Sequence, residues 1–96
     1  MSAQHIVLAG DSIFDNGGYV PGEPCVTEQL QAVIPTGWAA SRIAVDGDCL
    51  RHIRSRISKI SKGATYLVIS IGGNDVLGYA DLLKLMLDGK SMAEIL

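Results

Sequence analysis

Apolar residues are distributed along this chain in two alternating patterns, short unbroken runs and sets spaced as on one face of a helix. His5 to Ala9, "HIVLA", is a run that ends at glycine and predicts a strand buried on both faces. Val26, Leu30, Val33 and Ile34 fall at i, i+4, i+7 and i+8 and predict an amphipathic helix over 26–34, stopped by Pro35. Residues 41–45, "SRIAV", predict a second strand running into the turn Asp46-Gly47-Asp48. Leu50, Ile53, Ile57 and Ile60 then recur at helical spacing, with Asp48 as N-cap and Gly63 closing the helix. Ala64 to Ile71, "ATYLVISI", is the strongest strand and is expected to lie centrally. It breaks at "GGND", residues 72–75, expected as a loop, before a leucine-rich helix from about Tyr79 to Leu87 with Gly89 near its C-cap.

The order β-α-β-α-β-α implies a parallel sheet with right-handed crossovers and helices on its faces, and the expected strand order is 2-1-3. Ligands of such sheets bind beyond the carboxyl ends of the strands. Three turns lie there: Gly10-Asp11-Ser12, Asp46-Gly47-Asp48 and Gly72 to Asp75. They are expected on one rim.

Composition narrows what that rim can do. The 96 residues are 48% apolar and 19% charged, which suits one domain with a modest core. A net charge of -2 provides no general attraction to nucleic acid or anionic membrane. No run approaches a membrane span and the first residues lack a secretory pattern, so the expected location is cytoplasmic. Cys25 and Cys49 stand apart, with no CxxC and no paired histidines, and are read as free thiols; no metal and no cofactor is implied. Arg51, His52, Arg54, Arg56, Lys59 and Lys62 form a basic helix face, read as solvated because no aromatic residues interleave for base stacking.

The chemistry concentrates on Ser12. A serine exposed at a strand's mouth can attack an acyl carbon if a base takes its proton and donors await the oxyanion. The Ser12 N–H, the Gly47 N–H and the Asn74 amide are candidate donors on the same rim.

In these residues the chain resembles the N-terminal half of an SGNH hydrolase, the GDSL-type esterase and lipase family. "GDS" at Gly10 to Ser12 matches the first block, Gly47 in "AVDGD" the second, and "GGND" at Gly72 to Asp75 the third. The resemblance covers nearly the whole chain and implies a three-layer α/β/α sandwich of the SGNH or flavodoxin-like kind, cut to about three strands. It implies Ser12 as nucleophile, an oxyanion hole of Ser12, Gly47 and Asn74, and supporting roles for Gly10, Asp11, Gly72 and Asp75. The implied substrate is a small-molecule acyl ester. Ile13 stands where the family's first block usually has leucine, and the fourth block, D-x-x-H, is absent. Only His5 and His52 are present; His5 starts the first strand and is read as structural, and His52 is the one substitute base on offer.

Two features suggest that the chain stops early. Ser91-Met92-Ala93-Glu94 has a capping-box pattern with only Ile95 and Leu96 after it, and the third strand lacks an outer neighbour. The expectation is an N-terminal piece of a single domain, with self-association or a complementing C-terminal segment as its partner. Two other functions stay open: a binding rim without turnover, and magnesium-dependent phosphoryl transfer with Asp11 as nucleophile and Asp15 or Asp75 on the metal.

Overall fold

The computed structural model describes residues 3–89, a three-stranded parallel sheet in the order β2-β1-β3 with helices flanking it. The expected order 2-1-3 is therefore the observed one. β1, His5–Gly10, is central: it pairs with β2, Ala39–Arg42, from His5↔Ala39 to Leu8↔Arg42, and with β3, Tyr66–Ser70, from Ile6↔Tyr66 to Gly10↔Ser70. Val7, Leu8 and Ala9 are buried and form the core with Cys25, Ala40 and Ala44. Helix α1, Val26–Val33, lies against β2, and α2, Leu50–Ile57, lies against β1. Among the described residues no helix is long and apolar enough to cross a membrane.

Four expectations are corrected. β2 begins at Ala39, not residue 41, because the Ala39 N–H already donates to Gln4 O at 2.8 Å; it ends at Arg42 because Ile43 and Ala44 both donate to Leu8 O, which breaks the ladder's one-to-one alternation. α2 is capped by Cys49 and not by Asp48, and it ends at Ile57 instead of running to Gly63, since Lys59 and Ile60 bond three residues back in tighter turns. α3 spans Gly73–Gly89, so "GND" of the expected loop is its first turn. Gly72, at φ +121°, makes the bend and accepts the Val76 N–H at 3.1 Å, while Asp75 places negative charge at the helix start. Finally, β3 is an edge strand, with Tyr66 to Ile69 exposed.

At the opposite end of the sheet from Ser12, Trp38 just before β2 stacks on Tyr66 at the start of β3, with ring centroids 6.3 Å apart. The patterned segment at 91–94 lies outside the described residues.

Candidate active site

Ser12 owes its position to the two residues before it. Gly10 has φ +136°, and a Cβ there would sit 1.8 Å from Ser70 O, so no side chain fits between β1 and β3 at this point. Asp11 is buried and ends the strand: its N–H donates to Ser70 O, its carbonyl accepts from Phe14 and Asp15, and its Oδ1 accepts the Ile13 N–H at 3.1 Å. It caps a single helical turn whose first residue is Ser12. Ser12 is half-buried, and its hydroxyl makes no hydrogen bond among the described residues.

The three strand-end turns are stitched to one another. Val45 N–H donates to Gly10 O at 3.1 Å, joining the second turn to the first, and the Asp11 bond to Ser70 joins the first to the third. Asn74 Nδ2 donates to Asp48 O at 2.9 Å, and Asp75 Oδ2 accepts the Leu50 N–H at 3.0 Å, which ties the start of α3 to the start of α2. Asp15 adds a further link: its Oδ2 accepts the Asp46 N–H at 2.7 Å while its Oδ1 pairs with Arg42 at 2.8 Å. Tyr19 OH donates to the Asp46 carboxylate, and that hydrogen bond, with the carboxylate's charge, raises the phenol's pKa above its ordinary value.

Within the first two turns most amides have partners. Ile13 is held by Asp11, Asp46 by Asp15, Asp48 by Val45 O, and Cys49 by His52 Nδ1. The N–H groups of Ser12 and Gly47 are left without a protein acceptor among the described residues, as are those of Gly72, Gly73, Asn74 and Asp75 where α3 begins. Gly47 has φ +90° and open space where a Cβ would be. One N–H of the Asn74 amide is taken by Asp48 O, which leaves the other available.

Asp48 is 5% exposed, and Arg56 grips its carboxylate with Nε at 2.8 Å and Nη2 at 3.2 Å. The hydrogen bonds from Arg56 hold the Asp48 carboxyl below its ordinary range against the opposing effect of burial, and the Arg56 pKa is raised in turn. This corrects the reading of the basic face as wholly solvated. Arg56 lies seven residues after the helix cap at Cys49, which is nearly two full turns and returns it to the face below the 46–48 turn. That spacing was the available signal.

Neither histidine reaches Ser12. His5 Nε2 meets Ser41 Oγ at 2.7 Å at the start of the sheet. His52 Nδ1 accepts the Cys49 N–H at 2.9 Å and stands 3.6 Å from Asp48 Oδ1. A neutral ring that accepts at Nδ1 carries its proton on Nε2, so the 3.3 Å approach of Arg51 Nε to Nε2 is a contact and not a second hydrogen bond. Next to Asn74, an open cleft of about 270 Å³ is lined by Cys49, Arg51, Asn74, Asp75, Gly78, Tyr79 and Leu82, without Ser12 or Gly47. Comparison with family models, with curated proteins and with solved structures gave no match to this chain.

Proposed function

We propose that this rim performs acyl transfer from a carboxylic ester, with Ser12 as nucleophile and with the Ser12 N–H, the Gly47 N–H and the Asn74 amide as oxyanion donors. The reading includes membership of the SGNH hydrolases and their three-layer α/β/α sandwich. Ser12 Oγ attacks the ester carbonyl carbon, a base accepts its proton, the alcohol leaves, and water then hydrolyses the acyl-serine. The observation that carries the reading is that the Ser12 and Gly47 N–H groups have no protein acceptor while those of Asp11, Ile13, Asp46 and Asp48 around them do, together with the spare N–H of Asn74. Gly10, Asp11, Gly72 and Asp75 act by shaping and tying the turns.

The reading requires a base other than the two histidines, because His5 and His52 are both engaged elsewhere. This same fact favours a second reading, a rim that binds an acyl group without turning it over. Imidazole added as the external base separates the two. With p-nitrophenyl acetate and imidazole, the chain acquires one acetyl group on Ser12, located by mass spectrometry, with one equivalent of p-nitrophenol released above the hydrolysis by imidazole alone. Ser12→Ala under the same imidazole sets the background, and Asn74→Ala slows acetylation by about 100-fold, the usual loss of one oxyanion donor. Absence of acetyl-Ser12 would leave the binding reading in possession of the site.

A further inference from the structure

We propose that the Asp48–Arg56 ion pair sets the two oxyanion donors that Ser12 does not supply itself, making Arg56 a positioning residue of the site; the proposal rests on the acyl-transfer reading. Asp48 is where the constraints on both donors meet. Its backbone carbonyl is the acceptor that orients the Asn74 amide, at 2.9 Å, and its peptide nitrogen follows directly on Gly47 and donates to Val45 O at 3.1 Å. Gly47 is exposed and carries no side chain, and its own tie is a weak one, its carbonyl accepting the Cys49 thiol at 3.9 Å. Its orientation therefore depends on its neighbours. Asp46 is anchored through its N–H by Asp15, and Asp48 through its carboxylate by Arg56.

The two-point grip matters because a planar guanidinium holding both carboxylate oxygens fixes the direction as well as the distance, which a lysine ammonium does not. Without Arg56, the buried carboxylate would lose its two-point partner, keep only His52 at 3.6 Å beside it, and turn toward water. That rotation carries the Asp48 peptide with it, withdraws the carbonyl from Asn74 and lets the Gly47 N–H swing away from the rim. Arg56 itself comes from the far end of α2, so the helix acts as a strut from the core to the donors.

The test uses the whole chain, ¹⁵N-labelled, with the Asn74 side-chain amide identified by its loss in Asn74→Ala. In Arg56→Gln, solvent exchange of that amide quickens roughly tenfold, as expected for losing about one hydrogen bond. Imidazole-supported acetylation of Ser12 slows by about tenfold with the half-saturating ester concentration unchanged, the mark of a transition-state contact. Arg56→Lys, which retains the charge but not the fork, falls between wild type and Arg56→Gln in both measurements. An unchanged Asn74 exchange rate in folded Arg56→Gln overturns the proposal, as does an unchanged acetylation rate when exchange has quickened. If Arg56→Gln does not fold, Asp48→Asn replaces it: it keeps the carbonyl and the side-chain shape, and unaltered Asn74 exchange there overturns the proposal equally. Quickened exchange with no acetylation of wild-type Ser12 supports the clamp on Asn74 and overturns the acyl-transfer reading alone.

Discussion

β1 and β3 are both short and apolar, yet they sit in opposite environments. Leu8 in β1 is 3% exposed, whereas Val68, its register partner in β3, is 44% exposed. The difference comes from what surrounds each strand. β1 is hydrogen-bonded on both edges and has α2 packed on it, while β3 has one neighbouring strand and little cover from α3, whose Val76, Leu77, Tyr79 and Leu85 are exposed. Burial is thus conferred on a strand by topology, and β-propensity alone does not predict it. The strand that leads into Ser12 is the one with the firmest support.

Gly10→Val should break the contrast outright, because it drives a side chain into Ser70 O and prevents β1 from holding β3. A loss of about 3–5 kcal/mol in urea unfolding is expected, combining overpacking with backbone strain. Leu8→Ala comes next, at about 3 kcal/mol for a cavity in the buried strand. Gly47→Ala, also at a positive backbone angle but with open space, should cost about 1–2 kcal/mol. Acid should then loosen the 46–48 turn: the folded chain holds Asp48 below the ordinary carboxylate range, so the pair's stabilisation is present above about pH 4 and lost as pH falls through the lower folded value. Thermal melts from pH 5 downward should therefore show a decline that is shallower in Asp48→Asn. The smallest effect is expected at Ile69→Ala on β3, within about 1 kcal/mol, because the residue is already half in water. A loss at Ile69 equal to that at Leu8 would show that β3 is covered in solution.

The sequence displayed the parts of this fold that depend on neighbours in the chain. The apolar run at residues 5–9, the helical spacing of Val26, Leu30 and Val33, and the glycine-bearing turns after each strand are local signals. The strand order 2-1-3 expected for this β-α alternation is the observed one. What was hidden depended on partners distant in sequence. β2 begins two residues early because of a bond to Gln4, and the start of α3 at Gly73 depends on the bend at Gly72. Asp48 has the residue type of a cap, but Cys49 takes that place and Arg56, eight residues on, engages the carboxylate. In the candidate site, the serine and the glycines were readable from motif and turn chemistry. The ties among the turns, such as Asp15 to Asp46 and Asn74 to Asp48, involve residues 26 to 31 apart and leave no local pattern.

The stacked pair of Trp38 and Tyr66 gives the molecule its own optical gauge. The chain has one tryptophan, and it leans across the beginning of the sheet, about 17–20 Å from Ser12 by the length of β1. Its emission should report whether β2 and β3 remain gathered about β1 while being blind to what occupies the rim. A variant or ligand that changes acetylation but not this fluorescence has acted on the chemistry; one that changes both has opened the sheet.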